Sequence, residues 1–204
     1  MFDRVVVISL ARRTDRLDAF YARLGGRLDA VHYPATDGQQ DPPPAWWKTT
    51  PGAWGCYCSH RAVIDYALAI DIDSVLIFED DATFVPDFED RLAGLEVPPD
   101  CQMFYLGGQH LATAQPGPPG LVRGRNINRT HAYAVIGRPA LELLRDHLRP
   151  DPALWRARHH IDHHYGLLHR DGRIVAYAVK PWMCGQAAGM SDVSGRTVGE
   201  RMFR

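Results

Sequence analysis

The stretch Ser74-Val75-Leu76-Ile77-Phe78-Glu79-Asp80-Asp81 constrains this chain more than any other. Four consecutive apolar residues run directly into three carboxylates. The apolar run has the length and composition of a strand buried on both faces, as in the sheet of an α/β protein. Ligands of open α/β sheets lie beyond the carboxyl ends of the strands. Three acids crowded at such an end repel one another unless a cation joins them. A hard divalent cation takes oxygen ligands and usually carries substrate phosphate with it. On an extended chain Glu79 and Asp81 point to one side and Asp80 to the other. Glu79 and Asp81 are therefore the expected metal ligands, with Asp80 turned toward a sugar hydroxyl or a backbone donor. The plainer alternative is a charged turn after an ordinary strand.

The rest of the chain supplies the α/β setting. Strands are predicted at 4–10, 28–33, 75–78, 102–106, 131–136 and 174–179, and helices at 12–24, 55–70, 86–95, 139–148 and 158–169. Their alternation argues for a largely parallel sheet flanked by helices. Residues 34–52, 111–124 and the tail from Met183 are predicted as loops, and a loop as long as the first is usually functional. With 204 residues, no repeats and no linker, one domain spanning 1–204 is expected.

Composition narrows the partners. A formal net charge of -1 gives no global field toward nucleic acid or anionic membrane. Arginines Arg123, Arg125 and Arg129 form only a local basic cluster. No run approaches the ~18 apolar residues of a membrane span, and the N-terminus lacks the pattern of a secretory signal. Four cysteines without a paired framework read as free thiols, so a cytoplasmic location is expected.

Three further constellations could carry chemistry. Arg12-Arg13-Thr14-Asp15-Arg16 follows the first strand, where a helix N-terminus favours anions. Arg13 and Arg16 are candidate contacts to a nucleotide or pyrophosphate, and Thr14 or Asp15 could cap the helix. Gly55-Cys56-Tyr57-Cys58-Ser59-His60 opens a helix, with Ser59 and His60 candidates for lining a cleft. Its Cys-x-Cys-x-His spacing lacks a second Cys/His pair nearby, so no zinc site is expected. Finally, His159-His160-Ile161-Asp162-His163-His164 packs four of the ten histidines into six residues. His159, Asp162 and His163 would share one helix face. That face could be a metal or general-base site, with His163 as ligand and Asp162 accepting a proton. It could instead be a metal phosphohydrolase centre or an exposed polar surface.

Taken in order, these segments resemble the family-25 glycosyltransferases, the group with the bacterial lipooligosaccharide and collagen hydroxylysine galactosyltransferases. The resemblance rests on Val5-Val6-Val7-Ile8-Ser9-Leu10 with Arg13 and Arg16; on Ala35-Thr36-Asp37-Gly38; and on the Gly55-to-His60 block. It continues through Leu76-Ile77-Phe78-Glu79-Asp80-Asp81-Ala82, Thr130-His131-Ala132-Tyr133-Ala134-Val135, and Ile161-Asp162-His163. Ser9 stands where the family usually has Asn.

The resemblance implies a GT-A type, Rossmann-like fold and a nucleotide-sugar donor, by family habit a UDP-sugar. It also implies Mn²⁺ or Mg²⁺, and inverting transfer of a hexose to a hydroxyl. Glu79, Asp80 and Asp81 take the metal and donor role, with Arg13, Arg16, Ser59 and His60 near the nucleotide and donor cleft. Asp162 is the expected base, and Asp162 and Asp81 are the candidate catalytic pair. The acceptor hydroxyl could belong to a glycan, a protein or a modified nucleobase. A non-catalytic nucleotide-sugar or glycan-binding protein on the same fold is the remaining alternative.

Overall fold

The computed structural model describes residues 2–155 and 160–202. The elements in chain order are β1 (Arg4–Ser9), α1 (Thr14–Leu24), β2 (Ala30–Pro34), α2 (Pro51–Ala69), β3 (Ser74–Glu79), β4 (Ala82–Phe84), α3 (Phe88–Ala93), β5 (Met103–His110) and β6 (Gln115–Pro116). They continue with β7 (Leu121–Gly124), β8 (Ile127–Ile136), α4 (Arg138–His147), α5 (Pro152–Trp155), α6 (Ile161–Arg170), β9 (Ala176–Val179), β10 (Cys184–Gln186), β11 (Gly189–Met190) and β12 (Thr197–Val198).

The main sheet has eight strands in the order β2-β1-β3-β8-β5-β9-β7-β6. Strands β8 and β7 run against the other six. The expected α/β architecture with a mostly parallel sheet and flanking helices is thus present. The apolar run Val75–Phe78 is fully buried at its centre, as a strand covered on both faces must be.

The reversed strand β8 does most to position the acid cluster's neighbours. It pairs antiparallel with β3, Phe78 opposite Ala132. Its beginning therefore lies at the carboxyl end of β3, and Asn128, Arg129 and Thr130 arrive beside the three acids.

Several boundaries differ from the sequence expectation. Helix α2 starts at Pro51, four residues early, because Thr50 caps it through a bond from Ala53 N to Oγ1 of 3.1 Å and Pro51 fits the first turn. No side chain caps α1: Arg13 is its N-cap residue, and Asp15 instead pairs with Arg13. Short strands β6 and β7 occupy the expected loop at 111–124. The tail is also organised: β10 pairs with β4, β11 with β12, and Arg201 bridges to Gln186. The helix expected from 158 begins at Ile161; Arg158 and His159 lie outside the described residues. Trp47, in the expected loop at 34–52, is a core anchor at 6% exposure, its ring stacked on Tyr57.

One close approach shapes the cleft. A Cβ at Gly55 would collide with the Thr36 carbonyl oxygen and come within 2.9 Å of the Gly38 nitrogen. The first turns of α2 can therefore lie flat against the 36–38 segment only because position 55 has no side chain. Gly55→Ala is expected to lower stability by about 1–3 kcal/mol, the usual cost of overpacking. Urea unfolding checks this, and an unchanged midpoint would contradict the contact.

Candidate active site

A cleft of about 310 Å³ opens at the carboxyl ends of β1 and β3, where the strand rule places ligands. Its lining includes Ser9, Arg16, Ser59, His60, Glu79, Asp80, Asp81 and Asp162. Ser9 and Asp162, 153 positions apart in sequence, thus meet at one site.

The three acids do not split as an extended chain would have them. Strand β3 ends at Glu79, and Asp80 and Asp81 form a turn. Arg16 bridges those two, pairing with Asp80 Oδ1 and lying 3.2 Å from Asp81 Oδ2. Asp80 also accepts from Ser9 Oγ at 2.7 Å. Burial pushes Asp80 upward, and Arg16 and Ser9 offset part of that shift.

Glu79 faces a different set of partners. Its Oε1 accepts from Thr130 Oγ1 at 2.5 Å and lies 3.2 Å from His60 Nε2. Burial works to raise Glu79, but these bonds outweigh it and hold the carboxyl well below its usual range.

Asp81 is left with the weakest compensation. Burial first, then the Glu79 charge, pushes its carboxyl up to about 7. Its side chain keeps 21% exposure at the cleft. Oδ1 is buried without a hydrogen bond from any described residue, and Gln186 reaches Oδ2 only at 3.5 Å. An orphaned carboxylate oxygen beside two further acids is a place where a hard cation would find an oxygen ligand.

Beside the acids stands a wall of arginines. Asp192, from the tail, pairs with Arg12 at 2.8 Å, Arg13 at 2.5 Å and Arg16 at 3.4 Å. Three guanidinium groups converging on one anion is an arrangement phosphate also satisfies. Arg12 lies on the cleft lining, whereas Arg13 faces the adjoining groove with Arg23 and Asp15.

Asp162 enters from the first turn of α6. Its oxygens accept from the backbone nitrogens of His163 at 2.9 Å and Arg129 at 3.2 Å. Arg129 holds a positive φ of 82°, a region that L side chains seldom adopt. Such outliers persist where surrounding structure over-determines them.

Not every expected residue joins the site. His163 is 40% exposed and does not line the cleft, so the structure does not bring it to Glu79 and Asp81 as a metal ligand. The helix turns it away, since only one face of α6 meets the cleft. The His163 ring does meet that of His160, centroids 5.6 Å apart. His164 is buried against Trp155, ring centroids 4.0 Å apart, while His160 lines the cleft rim. Ser59 shapes the wall: it donates to Gly55 O at 2.6 Å and accepts from Thr36 N at 2.9 Å.

The sequence does not single out Thr130, Asp37, Gln186 or Asp192 as site residues. The first two stand inside motifs that carry the family resemblance. Asp192 sits in a tail whose glycines and polar residues look like loop, and nothing in its local pattern announces three arginine partners.

Known proteins share this sequence pattern. The profile described as glycosyltransferase family 25 (LPS biosynthesis protein) matches residues 2–114. The chain belongs to this family. It is 33% identical over 171 residues to the human protein named inactive glycosyltransferase 25 family member 3, covering 70% of this chain and 29% of that one. It is 24% identical over 139 residues to human procollagen galactosyltransferase 2, covering 56% of this chain and 22% of that one. The chain therefore spans less than a third of the length of either relative. Among solved structures, a glycosyltransferase involved in glycosylation of the PBCV-1 major capsid aligns at a TM-score of 0.43 and 13% identity, over 73% of this chain and 68% of that one. That likeness is too loose to add to the assignment. No helix among the described residues is long and apolar enough to cross a membrane.

The raised Asp81 carboxyl makes a signed prediction. A group whose folded pKa is raised contributes stability that is lost as pH climbs from its unfolded value toward the folded one. In chelator-treated protein, Asp81→Asn should melt above the wild type at pH 8, with the difference shrinking toward zero below about pH 4. A melting difference independent of pH would contradict the assignment.

Proposed function

We propose that this chain transfers a hexose from a nucleotide sugar, most simply a UDP-sugar, to an acceptor hydroxyl with inversion. The observation that carries this reading is the meeting, in one cleft, of an acid triplet, an arginine wall already holding an anion, and Asp162. Family membership supports the reaction class.

In this reading Glu79 and Asp81 hold the divalent cation, with Asp80 beside them. That cation would supply charge compensation to the departing diphosphate. The chain's own residues do the rest. Arg12 and Arg16 bind the diphosphate, at the place where they now hold Asp192. Ser9 and Arg16 fix Asp80, and His60 and Thr130 fix Glu79, so the anionic floor is set before the donor arrives. The acceptor oxygen attacks the anomeric carbon, a new C–O bond forms, and the bond to the diphosphate oxygen breaks. The acceptor's proton passes to an oxygen of Asp162, which two backbone N–H groups hold in orientation.

A second reading is a non-catalytic nucleotide-sugar or glycan-binding protein on the same fold. One observation favours it, the word "inactive" in the name of the 33% identical human relative. Donor binding with neither transfer nor hydrolysis would establish it. For the phosphohydrolase reading, His160 and His163 stay in ring contact at 5.6 Å, while His164 packs on Trp155 and His159 lies outside the described residues.

The test is Asp162→Asn in a transfer assay with a panel of glycan, protein and nucleobase acceptors. Losing a true general base should cost ~10²–10⁴ in rate while leaving donor affinity intact. Transfer within a few-fold of wild type would remove Asp162 as the base. Absence of transfer by the wild type across the panel, alongside donor binding, would favour the binding protein.

A further inference from the structure

A second cluster in the same cleft shares Glu79 with the acid triplet. Cys56 and His60 are four residues apart on α2, so their side chains share one face. Glu79 meets them from the end of β3. One ligating atom of each, the thiol sulfur, an imidazole nitrogen and a carboxylate oxygen, all lie within 4.8 Å of one another. Two donors here are soft or borderline, unlike the all-oxygen set of a Mg²⁺ site.

We propose that Cys56, His60 and Glu79 form a binding site for a borderline-soft divalent cation, Zn²⁺ by class, with an open fourth position toward the cleft. The geometry supports this in three ways. First, a tetrahedral zinc with Zn–N and Zn–O bonds of ~2.0–2.1 Å sets its nitrogen and oxygen ligands ~3.3 Å apart. His60 Nε2 and Glu79 Oε1 already lie 3.2 Å apart. The sulfur has to move little, because Cys56 stands one helical turn below His60 on the cleft lining.

Second, the outer contacts of a zinc-binding histidine are present. A ligating imidazole hands its other N–H to an acceptor that fixes the ring. His60 Nδ1 lies 3.0 Å from the Tyr133 hydroxyl, which lies 3.1 Å from the Tyr165 hydroxyl. A hydroxyl both donates and accepts. The pair can therefore switch its hydrogens, so that Nδ1 donates to Tyr133 and Nε2 turns its lone pair to a metal. Third, Thr130 Oγ1 orients Glu79 at 2.5 Å, as ligating carboxylates are commonly held.

Three protein ligands and one open position is the pattern of exchangeable or catalytic zinc rather than of closed structural zinc. The Cys-x-Cys-x-His spacing hid the site, because its third ligand lies nineteen residues beyond His60 and Cys58 takes no part. Glu79 is shared with the hard-cation set, a consequence that rests on the proposed function: Zn²⁺ here should antagonise Mn²⁺-dependent donor binding. The metal site itself stands without that function.

Cobalt substitution tests the site directly. Dialysed protein titrated with Co²⁺ should develop a sulfur-to-cobalt charge-transfer band and intense visible bands of tetrahedral Co²⁺, saturating at one ion per chain. Zn²⁺ should displace the cobalt stoichiometrically, and equimolar Mn²⁺ should not. Cys56→Ser should abolish the charge-transfer band, His60→Ala should weaken cobalt binding at least tenfold, and Cys58→Ser should leave both unchanged. Melting curves show which variants remain folded. If His60→Ala does not fold, Cys56→Ser and Cys56→Ala decide the matter. Absence of a thiolate band, its survival in folded Cys56→Ser, or its loss in folded Cys58→Ser would overturn the proposal. Cobalt binding with equimolar Mn²⁺ displacing zinc from it would do the same. If transfer fails while the cobalt spectrum appears, the function is wrong and the site stands.

Discussion

The constraint on which this structure turns is the mutual repulsion of Glu79, Asp80 and Asp81 at the end of a buried strand. Burial multiplies that repulsion, because charges are poorly screened away from water. The fold meets it by bringing partners to the acids. Glu79 takes a histidine and a threonine, and Asp80 takes a serine and an arginine. Asp81 shares that arginine and is left with an oxygen no described residue satisfies. Glu79 is compensated by protein, Asp80 only in part, and Asp81 is poised for something from outside.

Much of the remaining architecture serves that arrangement. The reversal of β8 delivers Thr130 and Arg129 to the carboxyl end of β3; a parallel strand would have carried them to the opposite edge. The early start of α2, capped by Thr50 and relieved by Gly55, sets Cys56, Ser59 and His60 along the cleft. The tail closes the arginine wall through Asp192, and Thr50 Oγ1 ties it down by donating to Val193 O at 2.6 Å. Anchors of one site therefore come from both ends of the chain.

What could be read from the sequence was the part written in consecutive residues. The buried run before Glu79 has a strand's composition, and the Arg12–Arg16 turn directly follows β1, so both were legible. The family motifs likewise placed Ser59, His60 and Asp162 on one cleft. What could not be read was pairing across the sheet. Nothing local says that β8 is antiparallel, that Glu79 meets His60, or that Asp192 meets three arginines. His163 shows the opposite failure. Its neighbours in sequence suggested a shared site, but helix geometry turns it outward, and only one face of α6 reaches the cleft.

The central claim is that the uncompensated Asp81 completes a cation-dependent diphosphate site. Isothermal titration with uridine diphosphate, in chelator and then in Mn²⁺, tests it most directly. The account predicts binding that appears or tightens at least tenfold with Mn²⁺ in the wild type, and no such gain in Asp81→Asn. Equal affinity with and without the cation, or an undiminished Mn²⁺ effect in the variant, would contradict it.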